Sequence, residues 1–169
     1  CLKAQAFKEY GKNLRGAAQA VLEFNKKIID SIYDIVPAVK LQIAFYEILG
    51  VEGIKVFKST MNYAREKGLL IIGDCKRNDI GSTATAYAEA FLGSCKIDEE
   101  KEETVFDTHA LTVNPYFGYD GIKPFVKACR ENDKGIFILV KTSNKTSKSS
   151  DGISRSSSSK LTSEKSVIG

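Results

Sequence analysis

The chain has 169 residues and a formal net charge of +4, with 43% hydrophobic and 27% charged residues. This size and balance predict one soluble globular domain with a workable core. Residues 145–169 hold five basic and two acidic residues, a net +3, so residues 1–144 carry only +1 and no basic stripe for nucleic acid. No apolar run is long enough to cross a bilayer and no secretory signal opens the chain, although a start at Cys1 rather than Met leaves a preceding segment open.

Helices and strands alternate along most of the chain. Apolar side chains at steps of three and four predict helices over 17–36 and 53–67, an alanine-rich helix over 83–92, and a helix after residue 118 with Ile122, Phe125, Val126 and Cys129 facing inward. Short apolar runs predict strands over 38–43, 69–73, 110–114 and 135–141. The charged residues 96–104 predict a surface loop with some helix. This order is typical of an α/β fold with a parallel sheet and right-handed crossovers.

The last 25 residues break this pattern. Ten of the residues in 145–169 are serine, and the apolar residues among them have no period. Such a segment buries too little surface to offset the entropy of ordering it. We therefore predict two parts, a folded region over 1–144 and a disordered Ser/Lys-rich tail over 145–169.

Four cysteines occur without a C-x-x-C pair, at positions 1, 75, 95 and 129. Their wide spacing argues against a zinc site or a disulfide framework. Cys75 is predicted to be a small core residue with a free thiol on the face of its strand opposite Asp74 and Lys76. Reduced cysteines favour a cytoplasmic location.

Three charged side chains gather around the end of the second predicted strand. Asp74 and Lys76 share one face of that strand because side chains alternate with a period of two. Asp79 follows after a turn, where Gly81 loosens the backbone and Ser82 or Thr83 is expected to cap the next helix. Charges at the end of a buried strand are costly unless they are paired, so this segment predicts an active site.

The segment Asp74-x-Lys76-x-x-Asp79-Ile80-Gly81-Ser82-Thr83 resembles the signature of the orotidine 5′-phosphate decarboxylase family, in its bacterial-type branch. Further resembling blocks lie at residues 23–26, 37–47, 111–116 and 140–144, so the resemblance covers residues 1–144. The family fold is a (β/α)₈ TIM barrel, which typically needs about 250 residues. Here only about four β/α units are expected, an incomplete barrel, with strands missing before Cys1 and after Asn144.

The resemblance implies a decarboxylase of pyrimidine biosynthesis that converts orotidine 5′-phosphate into UMP and CO₂ without metal or cofactor. By similarity to the family, Lys76 stabilises and protonates the carbanion at C6 of the pyrimidine. Asp74, Asp79 and Lys40 complete an alternating array of charges. Thr83, Ile80 and Ser143 are expected to bind the substrate. The resemblance also implies a homodimer in which Asp79 reaches into the partner's site.

Plainer interpretations remain beside these. A D-x-K-x-x-D string is also typical of a solvated ion-pair run, and Lys40 at a strand end can simply extend into solvent. His109, the only histidine, precedes its strand and is interpreted as a surface or structural residue rather than a general base.

Two other functions stay open. One is a related enzyme that acts on a sugar phosphate with metal assistance, which magnesium dependence would reveal. The other is an inactive truncated chain that only binds a partner subunit. The missing strands lead us to expect marginal stability and little activity from the isolated chain.

Overall fold

The computed structural model describes residues 1–141, so the predicted tail over 145–169 lies outside the described residues. The helices are α1 (Leu2–Tyr10), α2 (Leu14–Ile32), α3 (Ala44–Glu47), α4 (Gly50–Glu66), α5 (Gly81–Leu92) and α6 (Tyr119–Asn132). The strands are β1 (Ala38–Gln42), β2 (Leu70–Arg77), β3 (Cys95–Lys96), β4 (Glu102–Glu103), β5 (Ala110–Val113) and β6 (Gly135–Ile138). Residues Cys1–Leu139 form one compact unit.

Four strands form one parallel sheet in the order β1-β2-β5-β6. This confirms the predicted parallel sheet and the expectation of about four β/α units. Because parallel strands run in one direction, their carboxyl ends share one edge of the sheet, which is the edge that carries catalytic groups in β/α barrels.

Residues 96–104 lie at the surface as predicted, but the expected helix among them is wrong. A small antiparallel hairpin forms there, in which Cys95 pairs with Glu103 and Lys96 with Glu102. Its strands are two residues long and exposed, so no alternation of apolar and polar residues marks them in the sequence.

Helix α4 shows how the apolar periodicity builds the core. Phe57, Met61 and Ala64 lie on its inward face and are fully buried, as predicted, while Ile54 is partly buried. Helix α4 packs against α2 and against the sheet at β1 and β2, and α5 packs against α6. The sheet supplies Ile71 and Leu111 to the same core.

Helix α5 begins earlier than predicted and is capped differently. Its N-cap residue is Ile80, which makes no side-chain hydrogen bond to the helix, so the expected cap from Ser82 or Thr83 is wrong. Both residues instead lie in the first turn, because Gly81 adopts a left-handed φ of 55° and starts the helix there.

Among residues 1–141, no helix combines the length and the apolar character that a membrane crossing needs.

Candidate active site

Strands β1 and β2 place Lys40 and Asp74 at the same end of the sheet. The two strands pair in parallel register, with Gln42 opposite Asp74. Lys40 and Gln42 are two residues apart and therefore share a face of β1. Both side chains reach the Asp74 carboxylate, where Lys40 Nζ donates to Oδ2 at 2.6 Å and Gln42 Nε2 donates to the same oxygen at 3.1 Å.

The second oxygen of Asp74 also accepts two hydrogen bonds. Lys76 Nζ donates to Oδ1, and the Thr112 hydroxyl of β5 donates to it at 3.1 Å. Asp74 thus lies between two lysines, with Lys76 at one oxygen and Lys40 at the other. The sequence left open whether Lys40 merely extends into solvent; its ammonium instead pairs with Asp74.

The array concentrates positive charge at the surface of the molecule. The side chain of Asp74 is only 9% exposed, whereas those of Lys40 and Lys76 are 55% and 45% exposed. Burial acts to raise the pKa of Asp74, but the hydrogen bonds from Lys40, Lys76 and Thr112 outweigh it and lower the pKa to about 2. Asp74 is therefore ionised at neutral pH, and the three groups together carry a net charge of +1.

The other predicted site residues lie near the start of α5. Asp79 precedes the helix, and its Oδ1 accepts the backbone N–H of Ile80 at 2.8 Å. Asp79 forms no ion pair with Lys40, Lys76 or any other cation of residues 1–141. Ile80 and Thr83 are exposed. Ser143 lies outside the described residues, so its predicted role stays a prediction.

Cys75 and His109 have the structural roles that the sequence predicts. Cys75 is a free thiol buried in the core, and burial raises its pKa to about 12, so it is unreactive at neutral pH. His109 is partly buried before β5, and its Nδ1 accepts the backbone N–H of Ile71 at 3.0 Å.

Gln42 and Thr112 contact Asp74 but carry no predicted role. Each is a polar residue in a short apolar strand. This position in the sequence could have identified both as candidate site residues. Within the part of the chain that the structure describes, no group of three His, Cys, Asp or Glu residues is arranged to hold a metal ion.

Several known proteins with similar sequences are orotidine 5′-phosphate decarboxylases. The chain is 47% identical over 133 residues to an orotidine 5′-phosphate decarboxylase of Rhodopirellula baltica. The aligned region covers 79% of this chain and 43% of that protein. It is 41% identical over 137 residues to one from Clostridium perfringens, covering 81% of this chain and 44% of the relative. The chain therefore spans a little under half the length of these relatives.

Solved structures of the same name share the fold. A putative orotidine 5′-phosphate decarboxylase of Streptomyces avermitilis superposes with a TM-score of 0.71 at 30% identity, covering 92% of this chain and 57% of that one. The OMP decarboxylase of Leishmania donovani gives a TM-score of 0.65 at 33% identity, covering 78% and 47% of the two chains.

A family model extends this similarity along most of the sequence. It matches residues 19–164 and thus continues beyond residue 144, where the resembling blocks end. With this match and the shared parallel sheet, the chain belongs to the orotidine 5′-phosphate decarboxylase / HUMPS family, whose fold is the (β/α)₈ barrel.

Proposed function

We propose that the Lys40–Asp74–Lys76 array decarboxylates orotidine 5′-phosphate to UMP and CO₂. One observation carries the proposal: a buried, ionised carboxylate holds an ammonium group on each of its oxygens at the carboxyl end of the parallel sheet. This geometry fixes positive charge in place before a reaction begins. Fixed charge of this kind stabilises an anion that forms in a transition state without any cost of reorganising solvent.

The proposed reaction needs two events at C6 of the pyrimidine. The bond between C6 and the carboxylate carbon breaks, CO₂ leaves, and the electron pair stays on C6. The Lys76 ammonium stabilises this carbanion and then gives it a proton. Asp74 holds the Lys76 ammonium in place before the transfer.

Lys40 acts on the array from the other side of Asp74. Because Lys40 and Gln42 bind Oδ2, Oδ1 remains directed at Lys76 and Thr112. We expect the two lysines together to hold Asp74 ionised while the substrate's own carboxylate is near.

We also propose that Asp79 serves the site of a second copy of the chain. Its carboxylate makes no ion pair within residues 1–141 and lies beside exposed Ile80 at the start of α5. A homodimer would place Asp79, Ile80 and Thr83 of one copy at the array of the other. The four free cysteines support a cytoplasmic location for this enzyme.

The test of this function is an assay of UMP formation by the full 169-residue chain. Orotidine 5′-phosphate is supplied once with a chelator and once with magnesium. We expect the same rate in both, and a low one, because the incomplete barrel is expected to have little activity. Turnover that requires magnesium would instead favour the metal-assisted alternative, and no turnover in either would leave the chain without the proposed activity.

A further inference from the structure

Strand β2 departs from regular pairing where it carries the site. Gly73 lies opposite Leu111 of β5, but Arg77 lies opposite Val113, so four steps along β2 face two steps along β5. Within this bulge Lys76 has a φ of 49°, in the left-handed region that residues with a side chain rarely adopt. A strained conformation at a functional residue persists only where its surroundings hold it.

The hydroxyl of Thr112 is placed to hold this bulge. Its oxygen accepts the backbone N–H groups of Cys75 and Lys76, each at 3.0 Å. Both lone pairs of the oxygen are then occupied, and its single proton remains for donation. That proton points to Asp74 Oδ1 at 3.1 Å, because the Gly73 carbonyl oxygen is farther away at 3.5 Å.

The Thr112 side chain therefore contacts both Lys76 and Asp74. Through the backbone of Lys76 it stabilises the left-handed conformation, and through its proton it orients the carboxylate that Lys76 binds. Thr112 is itself only 8% exposed, so water has little access to its hydroxyl group.

We propose that Thr112 is a positioning residue, whose hydroxyl holds the Lys76 backbone in its left-handed conformation and fixes the Asp74 carboxylate, so that the Lys76 ammonium is aimed at the reacting carbon. The effect on catalysis rests on the proposed function, whereas the effect on the bulge does not. A threonine that served only as a β-branched core residue would be replaced by valine without consequence at Lys76.

Thr112→Val tests the hydroxyl, because the two side chains have nearly the same shape. Thr112→Ser keeps the hydroxyl and serves as the rescue variant. Thr108→Val is the matched control: Thr108 is also buried, but its hydroxyl donates to the Phe91 carbonyl oxygen, away from the site.

The first readout is amide hydrogen exchange by NMR, measured on the full chain. In Thr112→Val we expect the amides of Cys75 and Lys76 to exchange at least about 10-fold faster, since each loses its acceptor. The Ile71 amide lies in the same strand but donates to His109, so it is the internal reference and should change no more than in the control. Thr112→Ser should restore protection. Unchanged protection of both amides in Thr112→Val would overturn the proposal.

The second readout is turnover of orotidine 5′-phosphate. We expect Thr112→Val to lower kcat about 10-fold with little change in KM, and Thr112→Ser to recover most of it. An unchanged kcat in Thr112→Val, while turnover still depends on Lys76, would overturn the catalytic part. Absence of turnover in the unmodified chain would refute the proposed function alone, because the exchange experiment still decides the role of Thr112.

A third variant covers the case in which Thr112→Val does not fold. Thr112→Cys has a side chain of similar size but a much weaker acceptor and donor. We expect the Lys76 amide to exchange faster than in the unmodified chain but more slowly than a fully unprotected amide. Exchange equal to that of the unmodified chain would contradict the proposal.

Discussion

Asp74 is the residue on which the electrostatics of the site depend. Four donors surround its two oxygens, and two of them are ammonium groups. Removal of the negative charge would leave Lys40 and Lys76 facing each other without compensation, and like charges held close together repel.

Asp74 should make the stability of the chain depend on pH. Its pKa is about 2 in the folded chain against an ordinary 3.8, so its contribution is present above about pH 4 and is lost as the pH falls toward 2. We expect Asp74→Asn to be less stable than the unmodified chain at pH 6, with a difference that shrinks between pH 4 and pH 2.5. Unfolding by denaturant at several pH values measures this.

The exposed Asp34 provides the control for that experiment. Asp34→Asn removes one carboxylate from an exposed position, and it shows how much of any change in stability follows from the loss of a charge alone. A constant difference for Asp74→Asn across the acid range would contradict the account of its pKa.

His109 should impose a second pH dependence near neutrality. Burial lowers its pKa below the usual 6.5, and the charges of Lys134 and Arg65 lower it further while Asp107 opposes them. Its Nδ1 accepts the Ile71 N–H, which a protonated ring cannot do. The contribution of His109 is thus present above about pH 6.5 and is lost as the pH falls.

His109→Asp should remove this dependence, because a carboxylate can accept the same N–H and remains ionised at pH 5.5. As the pH falls from 7.5 to 5.5, we expect the stability of the variant to rise relative to that of the unmodified chain. Denaturant midpoints measure this difference. If the stabilities of the two chains change equally with pH over this interval, the Ile71 hydrogen bond does not depend on whether the His109 ring is protonated.

At the scale of single elements, apolar spacing predicted the long helices because burial decides their faces. The positions 54, 57, 61 and 64 identified α4 in this way. Helix α1 was missed because only Ala6 of its residues is buried, so no apolar stripe marks it. The bulge in β2 was missed because a period of two assumes regular backbone, whereas Lys76 is left-handed and its N–H donates to Thr112 in another strand.

Gly53 illustrates a packing requirement inside α4. A Cβ at this position would lie 1.8 Å from the Tyr46 carbonyl oxygen, so α3 and α4 approach closely there. Alanine usually stabilises the interior of a helix relative to glycine, but here backbone atoms would have to move.

We therefore expect Gly53→Ala to destabilise the chain by about 2 kcal/mol or more, measured by denaturant unfolding. Ser59→Ala at an exposed position of the same helix should change stability by no more than about 0.5 kcal/mol. Equal effects of the two substitutions would mean that the contact between α3 and α4 tolerates a methyl group.

At the scale of the whole molecule, the alternation of helices and strands predicted the parallel sheet, and the sequence motif at residues 74–83 predicted the family. The sequence placed Asp74 and Lys76 on one face of β2, and in the structure the two form an ion pair. Asp79 makes no ion pair within residues 1–141, so the contacts of one chain do not test whether it serves a second copy. Ser143 lies outside the described residues, so its role remains a prediction.

Mixed dimers test the assignment of Asp79 to a second copy. Lys76→Ala and Asp79→Ala should each be nearly inactive alone. When the two variant chains are expressed together, half of the dimers should be mixed and each mixed dimer should hold one complete site. We expect about a quarter of the activity of the unmodified chain. Activity no greater than that of the separate variants would show that Asp79 does not act across an interface.

The most direct test of the central claim is the rate at which the full chain and its Lys76→Ala variant convert orotidine 5′-phosphate to UMP. Lys58→Ala, at an exposed position of α4, is the control for loss of a lysine. We predict that Lys76→Ala lowers kcat at least about 100-fold while Lys58→Ala leaves it unchanged. Equal rates for the unmodified chain and Lys76→Ala would contradict the role of the array.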